Sequence, residues 1–154
     1  MVENKEIERD DQTEKTKRRK ILFRGKRVDT GEWIKGYFMK FRDIYTIQRE
    51  DDEVFYCKDR VIPETVGQFT GLYDKNGKEI FEGDVLKDID DIPRFERPMI
   101  IEYDRCGFGY KEVGYNCVTS IDDKEFGLEY FTDEFEVIGN IHDNPELLEV
   151  KDEN

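Results

Sequence analysis

Apolar residues fall in short runs along this chain. Many alternate with polar ones, and Gly, Asp, Asn or Pro separates most of the runs. That period of two is the mark of half-buried strands. "KILFRGKRVDTGEWIKGYF" predicts strand, turn, strand: Ile21, Phe23 and Val28 enter, Asp29-Thr30-Gly31 turns, and Trp33, Ile34, Tyr37 and Phe38 return. Gly31 suits the positive φ of a type I turn with a bulge. "DIYTIQRE" adds a strand through Ile44, Tyr45, Thr46 and Ile47. "EDDEVFYCKD" carries an acidic patch into a short apolar run, and Pro63 in "VIPETVGQFTGL" favours an edge or turn.

The most ordered stretch is "ETVGQFTGLYDKNGKEIFEGDVLK", residues 64–87. Phe69, Gly71 and Tyr73 share one face of an extended segment, with Thr70 and Leu72 on the other. Asp74-Lys75-Asn76-Gly77 forms the turn. Asp74 accepts from the backbone two residues on, and Gly77 takes the left-handed position. Ile80 and Phe81 return. Gly83-Asp84 bends the chain into Val85 and Leu86, as glycines do at the corners of small barrels. The structural turn positions are therefore Gly31, Gly71, Asp74, Gly77, Gly83 and Asp84. Further strands follow in "PMIIEYD", "GFGYKEV", "NCVTSI", "EFGLEYF" and "EFEVIGNI". In "HDNPELLEV", Asn144 caps and Pro145 opens a short helix with Glu146, Leu147 and Leu148. No other ten-residue segment has a helical period, so the fold is mainly β.

The 154 residues suit one domain with a charged appendage. Residues 1–19 read as a flexible charged tail, 20–148 as the β-rich domain and 149–154 as a charged C-terminal tail. Only 36% of residues are hydrophobic against 41% charged, so eleven Phe and eight Tyr must carry the core. The net charge of −13 is uneven: residues 14–27 hold eight Lys/Arg and one acid, whereas 28–154 hold 15 Lys/Arg and 32 acids, a balance of −17. Such an acidic body repels phosphate backbones, so direct nucleic-acid binding is not expected of it. It can attract basic partners or imitate a polyanion. The basic run can dock on that same acidic body. No apolar run approaches the roughly 20 residues of a membrane span, and no leader-like apolar segment opens the sequence. A cytoplasmic protein with buried structural thiols at Cys57, Cys106 and Cys117 is the expectation.

Candidate chemistry is sparse. His142 is the single histidine, which excludes His-cluster metal sites and leaves no identifiable nucleophile–imidazole pair. Asp74 and Asn76 start a calcium-like loop, but Lys78, Glu79 and Val85 stand where a ligand, the turn glycine and the bidentate acid belong. Asp88, Asp90, Asp91 and Glu96 lie close in sequence and suggest a metal-dependent hydrolase as a third reading, set against a solvated acidic loop. No catalytic, cofactor or metal residue is assigned.

Three blocks, "ILFRGKRVDTGEWIKGYF", "PETVGQFTGLYDKNGKEIFEGDVLK" and "EVIGNIHDNPELL", resemble the YopX family of small phage and prophage proteins, in order, over residues 20–148. The resemblance implies a β-rich fold containing an SH3-like barrel with hairpin extensions, a cytoplasmic setting in a bacterial host, and self-association. It brings no activity and no catalytic residues. The reading that follows is a non-enzymatic phage accessory protein that binds a protein partner. The alternative is an acidic nucleic-acid mimic directed at a host DNA-binding protein.

Overall fold

The computed structural model describes residues 20–52, 59–91, 93–121 and 133–149. They form two antiparallel five-stranded sheets. In chain order the strands are β1 (Phe23–Lys26), β2 (Trp33–Phe41), β3 (Ile44–Arg49), β4 (Gly67–Tyr73), β5 (Glu79–Phe81), β6 (Asp84–Asp88), β7 (Met99–Asp104), β8 (Gly107–Glu112), β9 (Thr119–Ser120) and β10 (Phe135–Asn140). The first sheet runs β3-β2-β1-β4-β5 and the second β10-β6-β7-β8-β9. "EFGLEYF" and Cys57 lie outside the described residues.

Local turn chemistry sets the hairpins. β1 and β2 pair from Phe23↔Gly36 to Lys26↔Trp33, and Gly31 has φ +71° in the connection. β2 and β3 pair up to Phe41↔Ile44, around a two-residue tip in which Arg42 itself has φ +52°. The Pro63 segment is a single 3-10 turn, Pro63–Thr65. In β4 the alternation breaks at Gly71, whose φ is +92°. Phe69 pairs with Phe81 and Tyr73 with Glu79, so β4 carries extra residues there. The bulge lets Phe69 pack with Leu22 and Phe81 while Leu72 reaches the other core.

Three apolar clusters result. Ile34, Ile47 and Val61 lie under the first hairpin, with Phe23, Phe38 and Tyr45 against them. Leu22, Phe69 and Phe81 sit at the junction. The largest, under the second sheet, includes Ile80, Leu86, Met99, Ile101, Tyr110 and Phe135.

Among the described residues the strands form two open sheets, and no closed barrel is formed. β4 pairs with β1 only at Phe23↔Gln68 and Arg24↔Gly67, then bends away to β5. Residues 59–62 reach both β3 and the end of β1, but only through the bridges Thr46↔Arg60 and Arg27↔Val61. The C-terminal segment expected as a short helix is a single 3-10 turn, Pro145–Leu148. Asn144 does not cap it. Its Oδ1 accepts from the Asn140 amide at 3.3 Å, which ties the turn back to the end of β10. Among the described residues no helix is long and apolar enough to cross a membrane.

Candidate functional site

The turn positions singled out in the sequence fall into two groups. Gly31 and Gly77 lie on exposed loops, both with positive φ. Asp74, Gly83 and Asp84 are buried at the junction of the two sheets. Asp74 is 4% exposed. Its Oδ1 accepts from the Asn76 and Lys78 amides at 2.8 and 2.9 Å, and its Oδ2 from the Val137 amide of β10 at 3.0 Å. One carboxylate therefore closes its own turn and fastens it to the second sheet.

Gly83 and Asp84 are the hinge between sheets. Gly83 has φ +83°, donates to the Ile101 carbonyl at 2.8 Å and accepts from the Ile141 amide at 2.9 Å. Asp84 is 1% exposed. Its Oδ2 accepts from the Phe81 amide at 2.8 Å, and its Oδ1 meets Arg24 Nη2 at 2.6 Å. Burial nevertheless holds its carboxyl above the ordinary carboxylate value, with Arg24 pulling the other way.

Arg24 also lies over the rings of Trp33 and Phe81, 4.8 and 5.0 Å from their centroids. Trp33 Nε1 donates to Asp143 Oδ2 at 2.6 Å, and Asn140 Nδ2 donates to the same oxygen at 2.9 Å. Lys26 pairs with Asp143 as well. Hydrogen bonds from Asn140, Lys26 and Trp33 hold the Asp143 carboxyl far below the usual range. His142 stacks obliquely on Trp33 at 6.0 Å. Burial first, then Arg24 and Lys26, depresses its pKa. This is a clamp that joins the first hairpin to the turn after β10.

Beside the clamp opens a groove of about 340 Å³. Val66, Ile101, Ile141 and Leu148 give it apolar surface, and Glu64, Glu82, Glu102, Lys111 and His142 add charged and polar groups. Lys111 pairs with Glu102. Among the described residues neither Glu64 nor Glu82 has a Lys or Arg side-chain partner. The groove therefore mixes apolar surface with carboxylates, and one of these, Glu82, accepts from the Gln68 amide at 3.5 Å.

The other sequence candidates lie apart from it. Asp88 is buried and accepts from the Asp90, Arg94 and Phe95 amides at 3.1, 2.9 and 3.3 Å, so its oxygens organise a loop. Asp90, Asp91 and Glu96 are exposed. Among the described residues no group of three or more His, Cys, Asp or Glu is arranged to hold a metal ion. Cys106 and Cys117 are exposed thiols, contrary to the burial expected of them, because they sit in the β7–β8 turn and in the loop before β9.

The described part of the basic run, residues 20–27, docks on the protein's own acids: Lys20 on Glu50, Arg24 on Asp84, Lys26 on Asp143, and Arg27 on Asp29 and Asp59. Ion pairing also interrupts the acidic surface, since Glu50, Glu79 and Glu102 each face a Lys. A polyanion mimic would need such carboxylates unpaired along one ridge.

The sequence matches the family model described as YopX protein over residues 22–149. Among solved structures, the crystal structure of protein EF1440 from Enterococcus faecalis is similar. It shares 26% identity with a TM-score of 0.50, over 84% of this chain and 98% of that one. No curated protein matches.

Proposed function

Because the chain belongs to the YopX family, we propose that it is a non-enzymatic phage or prophage accessory protein that holds a segment of a protein partner in the groove beside the Trp33 clamp. The observation that carries this reading is the groove's composition. Val66, Ile141 and Leu148 offer apolar surface, and among the described residues neither Glu64 nor Glu82 has a Lys or Arg side-chain partner, so an extended segment with an apolar side chain next to a cation fits it. The clamp supports the reading because it fixes the groove wall at Gly83, Ile141 and His142 before any ligand arrives. The buried carboxylates Asp74, Asp84 and Asp88, none of which lines the groove, support it too, since their oxygens bind backbone amides and arginine. The setting in this proposal is the cytoplasm of a bacterial host, and residues 59–62, bridging β3 and β1, stand where a barrel of the SH3 type would close.

Site-specific photocrosslinking tests the proposal. A benzophenone side chain at Leu148 is expected to capture a defined protein in cells, and the same group at Tyr103, an exposed ring on β7, is not. Glu82→Lys is expected to abolish the Leu148 adduct. Equal capture at both positions, or turnover of a small molecule that depends on the groove residues, would overturn it.

A further inference from the structure

Asn76-Gly77 is the only Asn-Gly pair in the sequence. Asparagine is a thermolabile residue, and this neighbour makes it most so. The amide carbon of its side chain lies within reach of the next backbone nitrogen, and glycine has no Cβ to obstruct the approach. Once hydroxide has taken the Gly77 amide proton, the nitrogen attacks Asn76 Cγ. The N–Cγ bond forms, the Cγ–NH2 bond breaks, and ammonia leaves with a proton from water, which restores the hydroxide. The succinimide ring then takes up one water and opens at either carbonyl, giving aspartate or isoaspartate. Water and hydroxide are the only co-reactants.

Both residues are exposed on the turn, so water and hydroxide reach them. The fold nevertheless engages each reacting group. The Gly77 amide donates to the Asp74 carbonyl at 2.9 Å, which keeps the proton on the nucleophile. The Asn76 side chain donates from Nδ2 to Glu136 Oε1 of β10 at 3.2 Å, which ties down the carbon under attack. The Asn76 backbone amide is held as well, by Asp74 Oδ1 at 2.8 Å. These restraints share one fastening, since the same Asp74 carboxylate accepts from the Val137 amide of β10. We infer that Asn76 is a site of spontaneous modification whose deamidation is gated by separation of this hairpin from β10. The folded chain reacts only through that local opening, and each reaction is irreversible. Either product puts a carboxylate opposite Glu136 in place of the Nδ2 donor, so attraction becomes repulsion. Isoaspartate also adds one atom to the main chain inside the turn, where the Gly77 amide must reach the Asp74 carbonyl. The modified hairpin does not dock again as before, and the molecule keeps a one-way record of how often its two sheets have parted.

Peptide mass mapping of the full chain, aged in mildly alkaline buffer, follows the change from amide to acid at Asn76, and electron-transfer fragmentation identifies isoaspartate. Folded wild type is expected to react at least about tenfold more slowly than the same chain unfolded in urea. Asp74→Ala, which unfastens the turn from Val137, is expected to recover most of that difference. Glu136→Ala, which leaves the turn's own bonds in place, is expected to recover part of it. Gly36→Ala weakens the distant β2–β3 ladder and is expected to react at the wild-type rate, which separates local opening from global unfolding. Circular dichroism confirms that each variant is folded. The modified fraction carries one more negative charge, separates by anion exchange and is expected to melt below the unmodified one. Folded wild type that reacts as fast as in urea would overturn the inference. So would a Glu136→Ala variant no faster than wild type, a Gly36→Ala variant as fast as Asp74→Ala, or a modified fraction with unchanged melting.

Discussion

Removing the Asp74 carboxylate tests how the two sheets are joined. In Asp74→Ala three amides lose their acceptor. Those of Asn76 and Lys78 belong to exposed turn residues, so water can replace the carboxylate, and each loss is worth about 0.5–1.5 kcal/mol. The Val137 bond is buried, and an unsatisfied amide there costs about 1–3 kcal/mol. Relief from burying a charge offsets part of the sum. A net loss of about 3 kcal/mol follows, or roughly 6–12 °C in melting temperature for a chain of this size. Asp74→Asn keeps one oxygen for the turn amides but points an NH2 group at Val137, donor against donor. Hydrogen exchange separates the two effects. Val137 should lose protection in both variants, and Asn76 and Lys78 only in the alanine variant. An alanine variant that melts within about 1 °C of wild type, with Val137 still protected, would refute this account of the junction.

Gly77→Val should cost about 1–2 kcal/mol more than Gly77→Asn, because no atom lies within 4 Å of an added Cβ and only the φ of +77° discriminates between them. Equal melting temperatures for the two would show that backbone conformation does not govern this turn. Gly36→Ala should destabilise by about 3 kcal/mol in urea titration, since a Cβ there runs into the Gln48 carbonyl across the β2–β3 ladder. An unchanged midpoint would contradict that close approach. The depressed pKa of His142 in the folded protein means that its stabilising contribution is complete above the ordinary value of 6.5 and is lost as pH falls through the lower folded value. Melting temperature should therefore drop between pH 7 and 5, and His142→Gln, which removes the only histidine, should flatten that slope; an identical slope in the variant would assign it to other groups.

The hairpins were readable in the sequence because their determinants are local. Asp29-Thr30-Gly31 and Asp74-Lys75-Asn76-Gly77 act within a few residues, through side-chain acceptance and positive φ. The bulge at Gly71 was less readable: alternation sets Phe69 and Tyr73 on one face, where their rings meet at 5.5 Å, but it gives no sign of the extra residues that β4 carries against β5. The site itself was hidden. Trp33 meets Asp143 across 110 positions and Asp74 meets Val137 across 63, and no periodicity encodes such pairings. A signal did exist in Gly83-Asp84: an acid immediately after a corner glycine, inside an apolar run, had to be buried and had to find a cation, which is Arg24. The short helix expected at Pro145 is only a 3-10 turn, because a four-residue segment whose Asn144 side chain is engaged elsewhere does not outlast its first turn. Gly36 was overlooked because close approach of a neighbouring strand leaves no mark in a single sequence.

The long reach from Asp74 to Val137 also sets a timetable. A ribosome adding roughly 5–20 residues per second takes about 3–13 s to cover the 63 positions from one to the other. Through that interval the nascent hairpin can close its own turn on Oδ1, while the other carboxylate oxygen stays with water. The apolar faces of Leu72 and Ile80 meanwhile lack Phe135 and Val137, which complete their core. Strand β10 therefore arrives at the edge of β6 as a keystone. A nascent chain arrested before residue 135 should carry a finished first hairpin and a sticky second sheet, which makes the interval before β10 emerges a window of exposure to chaperones and proteases.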